Sequence, residues 1–204
     1  KEKIKNCNAY LLSKISDGNS TIYGVNTGFG SLCNTRIDSK DLAQLQVNLI
    51  RSHACGMGDY VPHDIIKLML LLKVKSFRYG HSGVQLKTVE KLLDFFNTST
   101  LPVIYELGSL GASGDLAPLS HMSLPLIGEG KVWSKDSQTI ESAKPSDLVL
   151  GPKEGLALIN GTQFMQAYGL SCLVKAKKIL ERADVHAALC LDAYDGRKEP
   201  FLNF

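Results

Sequence analysis

The 204-residue chain has few of the features that disclose a function class by themselves. No window carries five or six charges of one sign, and the net charge of +3 is spread along the chain. It therefore lacks the electrostatic footprint of a nucleic-acid binder or of a protein held on an anionic membrane. The five cysteines, Cys7, Cys33, Cys55, Cys172 and Cys190, are odd in number and form no C-x-x-C pair. That excludes a zinc ribbon or a dithiol redox motif and fits a reduced, cytoplasmic setting. His53, His63, His81, His121 and His186 show no H-E-x-x-H spacing, so no metal site is expected. Triplets of the N-x-[ST] type at Asn19, Asn97 and Asn160 carry no meaning without a secretory signal. No apolar run approaches the ~20 residues that span a bilayer. Internal repeats and low-complexity linkers are also missing.

What is present is an apolar content of 44%, enough to build a sizeable core. The spacing predicts a helix over residues 2–16, with Ile4, Cys7, Leu11, Leu12 and Ile15 on one face and a stop near Gly18. Tyr23-Gly-Val-Asn-Thr-Gly-Phe-Gly30 is a glycine-rich loop. Asp38 or Ser39 is placed to cap a helix running to about Ala54, which Gly56 and Gly58 follow. Pro62 suits the first turn of a helix over 62–79, stopped by Gly80, and a shorter helix opens near Thr88 and runs through Phe96. After Pro102 the chain reads as extended. A buried helix containing Pro118 and Pro125 must be kinked or broken. Residues 129–142, around a Ser-Lys-Asp-Ser turn, form the one β-hairpin expected. The longest periodic stretch runs from Gly161 to Tyr194, with Phe164, Tyr168, Leu173, Ala176, Leu180 and Ala187 on its apolar side. A helix above ~25 residues suggests a bundle or an oligomer core. The class is mainly α.

The chemistry concentrates at Gly108-Ser-Leu-Gly-Ala-Ser-Gly-Asp115. As a hydrolase elbow, Ser113 lacks the second glycine of G-x-S-x-G and any surrounding βαβ pattern. Neither glycine run, 24–30 or 108–114, has a phosphate-loop spacing, although a generic anion site at the following helix stays open. Ala112-Ser113-Gly114 has a further possibility. If the Gly114 nitrogen attacks the Ala112 carbonyl carbon, whose oxygen leaves as water, and Ser113 loses a second water, the chain acquires an exocyclic methylene conjugated to a new ring. That is an electrophile made from the polypeptide alone, and a Cβ at position 114 would obstruct its closure. A helix N-terminus just beyond would stabilise negative charge developing on the ring. Asp115 is placed either to help the dehydration or to cap that helix.

Four blocks together resemble the aromatic amino acid ammonia-lyase and aminomutase family, and within it the members that act on histidine. They are Gly108–His121 (GSLGASGDLAPLSH), Tyr23–Gly30 (YGVNTGFG), Asn48–Gly58 (NLIRSHACGMG) and Pro152–Gln163 (PKEGLALINGTQ). They occur in the family's order across nearly the whole chain, which spans less than half of the family's usual length. The resemblance implies a long-helix bundle of the fumarase and aspartase type with a small β-hairpin, here incomplete. Residues 1–110 would form an N-terminal helical and loop domain bearing Tyr23 and His53. Residues 111–204 would begin the central bundle bearing the Ala-Ser-Gly turn. The start without Met inside a helical pattern, and the stop at Phe201-Leu-Asn-Phe204, lead us to expect a fragment.

Carried over by motif, Ala112, Ser113 and Gly114 resemble the residues that become 4-methylideneimidazole-5-one (MIO), so no external cofactor is implied. Tyr23 resembles the tyrosine that removes the substrate β-proton, a role a phenol performs only as its phenolate. Asn160 resembles the asparagine that holds the substrate; from its place alone it reads as a turn or helix N-cap. Ser52-His53 resembles the selectivity pair of the histidine-specific members. An imidazole at 53 exchanges a hydrogen bond with a substrate imidazole, as the apolar pair of phenylalanine-specific members cannot. The implied reaction is elimination of ammonia from L-histidine to trans-urocanate by a cytoplasmic homotetramer. Alternatives are a tyrosine or phenylalanine ammonia-lyase, an aminomutase on the same ring, or a non-catalytic helical scaffold. One departure stands out: Leu107 occupies a place where family members often have Gln.

Overall fold

A computed structural model describes residues 1–16, 21–28, 37–110, 114–134 and 139–202. Helix α1 (Glu2–Ser16) is as expected, with Ile4 as its buried contact and Gly83 main chain accepting from Asn8 at 2.8 Å. A short 3-10 turn, Ser39–Asp41, leads into α2 (Leu42–His53), which buries Leu42, Gln46, Leu49 and Ile50. Asp38 has the extended backbone of a cap but makes no capping bond through its side chain. Pro62 precedes α3 (His63–Arg78), whose inner stripe is Ile65, Ile66, Met69, Leu70, Lys73 and Phe77.

Helix α4 (Leu86–Thr98) begins two residues earlier than the sequence suggests. Thr88 is buried, and its hydroxyl donates to Glu154 Oε1 at 2.7 Å. Glu154, fully buried at the start of α6 (Glu154–Ile159), also accepts from the main-chain N–H of Gln85 and Gly151 and from the Gln85 amide. A buried carboxylate needs this full set of donors, and together they tie α4 to α6. Helix α5 (Leu116–Ser123) passes into a 3-10 turn, Leu124–Ile127, at Pro125, which is the expected break. Its Leu119 and Met122, with Leu126, are 0% exposed, and α5 packs against α2 and α6.

The expected hairpin is present as β3 (Lys131–Trp133) paired antiparallel with β4 (Ile140–Ser142). A second sheet was not legible in the sequence: β1 (Met57–Tyr60) pairs antiparallel with β2 (Tyr105–Leu107), Met57 opposite Leu107 and Tyr60 opposite Tyr105. The two strands are so short that no alternation develops, and all four residues of β1 are exposed. Their pairing nevertheless brings the end of α2 alongside the approach to the Ala-Ser-Gly turn.

The long helix is α7 (Gln163–Ala193), of 31 residues. Contacts divide the chain into Lys1–Ala167 and Tyr168–Phe204. The first unit contains both sides of the 110/111 boundary expected from the sequence, because α5 and α6 pack on α2. Within the second unit the apolar face of α7 lies open, with Leu173 and Leu180 about two-thirds exposed. Among the described residues no helix is long and apolar enough to cross a membrane.

Candidate active site

Gly114 is held where only glycine fits. Its φ is +96°, and a Cβ there would lie 2.5 Å from the Gly161 carbonyl oxygen. That oxygen accepts the Asp115 N–H at 2.7 Å, so the exit of the turn is locked against the α6–α7 connection. On the entry side Gly108, at φ +137°, leaves room for Gly56, whose Cα would be 3.2 Å from a Cβ at 108. Ala112 and Ser113 lie outside the described residues.

Asp115 corrects one expectation. It precedes α5 but makes no capping bond to it. Its fully buried carboxylate turns to α7: Oδ2 accepts the N–H groups of Phe164 at 2.9 Å and Met165 at 3.1 Å. Oδ1 accepts the Ser109 hydroxyl at 2.9 Å. One side chain therefore caps the long helix and holds Ser109 as well. The N-cap alternative for Asn160 is corrected by the same observation. Asn160 closes α6, its N–H donating to Leu156 main chain at 2.9 Å, and its side chain is exposed.

His53, the last residue of α2, lines a cavity of about 200 Å³ together with Gly114, Cys55, Gly108, Leu110 and Leu116. Its Nδ1 lies 2.9 Å from the Leu49 carbonyl, which can only accept. The neutral ring is thereby assigned a proton on Nδ1, and Nε2 carries the free lone pair. Ser52 supports this setting: its hydroxyl donates to the same carbonyl at 3.0 Å and sits 3.0 Å from Nδ1. Asn160 lines a separate cavity of about 240 Å³ with Lys73, His81 and Lys153. Tyr23, in the turn where Val25 and Asn26 N–H groups return to the Ile22 carbonyl, is 55% exposed and lines neither cavity. Thus the structure brings His53 and Gly114 together, while Asn160 lines a different cavity and adjoins Gly161, the residue that closes on Gly114. It leaves Tyr23 on an open face.

Two further residues shape this region. His121, on α5, accepts the Gly56 N–H through Nε2 at 3.0 Å and packs edge-on against Tyr105. Burial holds its pKa below the ordinary histidine value, which keeps the accepting form. Lys73 is 1% exposed, with Nζ 3.1 Å from the Asn160 carbonyl and 3.5 Å from Gln163 Oε1. Burial lowers its pKa to about 7 against the opposing charge of Asp115. Lys73 carried a legible signal, a cation on the stripe otherwise built from Ile66, Met69, Leu70 and Phe77. Nothing in the local pattern marked His121, whose partner is distant in sequence. Among the described residues no group of three or more His, Cys, Asp or Glu is placed to hold a metal.

The family model for aromatic amino acid lyases matches residues 1–204. The chain belongs to the aromatic amino acid lyase family. A histidine ammonia-lyase of Streptococcus pyogenes serotype M5 (strain Manfredo) is 43% identical to this chain over 201 residues. That alignment covers 96% of the chain and 39% of the relative. The crystal structure of histidine ammonia-lyase from Trypanosoma cruzi superposes with a TM-score of 0.87 at 39% identity, over 97% of this chain and 39% of that one. Tyrosine aminomutase from Streptomyces globisporus gives a TM-score of 0.88 at 35% identity, over 98% and 39%. The helical architecture is therefore that of the ammonia-lyase structures, and the chain spans about two fifths of the length of the relatives it matches.

Proposed function

We propose that the full-length protein carrying this chain is a histidine ammonia-lyase, converting L-histidine to trans-urocanate and ammonia. The observation that carries the reading is the shared cavity of His53 and Gly114. With Nδ1–H engaged by Leu49, His53 offers Nε2 as an acceptor for the N–H of a substrate imidazole. A phenylalanine side chain has nothing to donate there, so the acceptor would be left unpaired.

The chain also suits a ring formed from Ala112, Ser113 and Gly114, because position 114 has the positive φ and the missing Cβ that closure demands. Such an MIO group supplies an electrophile that makes the substrate amine a better leaving group. The rest of the work falls to side chains. Tyr23 takes the β-proton as its phenolate; the Cβ–H electrons form the Cα=Cβ bond, and the Cα–N bond breaks as the amine departs. Asn160 holds the carboxylate, and His53 with Ser52 orients the ring. Asp115 holds the turn closed from both ends. The exposed face of α7 suits burial in a bundle of the homotetrameric kind, and the composition suits the cytoplasm.

The test is the intact mass of the purified full-length protein together with its products. Ring formation lowers the mass by two waters, Ser113→Ala abolishes that loss, and trans-urocanate accumulates from L-histidine. An active protein at its full sequence mass would overturn the ring, and preference for tyrosine or phenylalanine would overturn the substrate. The likeness to tyrosine aminomutase favours one second reading, migration of the amine in place of its release, which a β-amino acid product would reveal.

A further inference from the structure

Lys73 sits in the core of the first unit without a part in the chemistry described so far. Removing an ammonium from water costs several kcal/mol, and an apolar residue of the same volume would pack there without that penalty. The direction of its protons shows what the charge does. The acceptors flank the connection between α6 and α7: the Asn160 carbonyl at the end of α6, at 3.1 Å, and Oε1 of Gln163, the first residue of α7, at 3.5 Å. The N–H of Asn160 is held independently by the Leu156 carbonyl at 2.9 Å. With the peptide groups on both sides of its Cα anchored, the backbone of Asn160 is fixed, and so is the direction of its Cα–Cβ bond. The next residue, Gly161, rests its carbonyl on the Asp115 N–H and closes over Gly114.

We propose that Lys73 is a positioning residue for Asn160, holding its carbonyl from the core side so that its exposed amide is presented to the substrate carboxylate. This rests on the lyase reading above. Lys73 touches no substrate; it acts through the main chain of Asn160.

The experiment compares the full-length protein with Lys73→Met, which keeps the volume and removes the donor, and with Lys73→Arg, which keeps a cationic donor. Intact mass gives the fraction of chains that have lost two waters, and kcat is expressed per such chain. Lys73→Met should raise KM for L-histidine about tenfold, the size of one lost hydrogen bond, with kcat within a few-fold. The Kd of trans-urocanate, measured by equilibrium dialysis, should rise in step. Lys73→Arg should recover much of both. In an Asn160→Ala background the Lys73→Met effect should vanish, because there is no amide left to position. If Met and Arg variants behave alike, whether both like the parent or both unassembled, Lys73 is core packing and the proposal fails. It fails too if the KM rise persists in full in the Asn160→Ala background. A parent protein without the mass loss and without lyase activity would instead bring down the lyase reading itself.

Discussion

The Asp115 carboxylate accepts the Phe164 N–H at 2.9 Å, 49 positions along the chain, so the residue that leaves the Ala-Ser-Gly turn caps the longest helix. Ser109, Asp115 and the start of α7 are therefore tied to one another directly. Asp115→Ala removes acceptors from Phe164, Met165 and Ser109 at once and should cost about 2–4 kcal/mol, a lost cap plus buried donors without partners. Asp115→Asn keeps one oxygen and should lose about half as much. Urea midpoints of the full-length variants read this directly, and equal losses for both would refute the capping account.

Gly114→Ala should prevent ring formation. A methyl there falls 2.5 Å from the Gly161 oxygen at a φ that side chains avoid, a strain of about 1–3 kcal/mol where the chain must bend most. Intact mass should then equal the full sequence mass, and a normal two-water loss would contradict it.

His53→Phe should cut kcat/KM for L-histidine by about 10- to 1000-fold, since the Nε2 acceptor disappears. Turnover of phenylalanine relative to histidine should rise. Competition assays with the two amino acids measure the ratio, and an unchanged ratio would show that selectivity resides elsewhere.

The buried Lys73 links stability to pH. Its pKa falls from 10.5 to about 7 on folding, with burial opposed by Asp115, so between those values the unfolded chain holds a proton that the folded chain has released. Stability then rises with pH across that window by at most about 1.4 kcal/mol per unit, and the gain is lost as pH falls toward 7. Lys73→Met should flatten this slope, as seen in urea midpoints at about pH 7 and about pH 9. Parallel profiles for the two proteins would contradict it.

Much of the first unit was readable because helix periodicity is local. The apolar stripes of α2 and α3 and the break at Pro125 follow from spacing and from the missing proline N–H. The sheet β1–β2 was not readable, since its strands are too short to alternate and their partners lie far apart in sequence. Thr88 and Asp115 both looked like helix starts from their neighbours. The structure uses them for Glu154 and for α7, because a short polar side chain bonds whichever buried donor or acceptor the tertiary fold brings near.

By itself the sequence determined the family and the helical class, since glycine content, proline positions and side-chain period act within a few residues. Only the tertiary structure decided that His53 and Gly114 share a cavity, that Asp115 serves α7, and that Lys73 lies beneath Asn160. Those are relationships between distant segments, fixed by where buried polar groups find partners, and no local pattern encodes them.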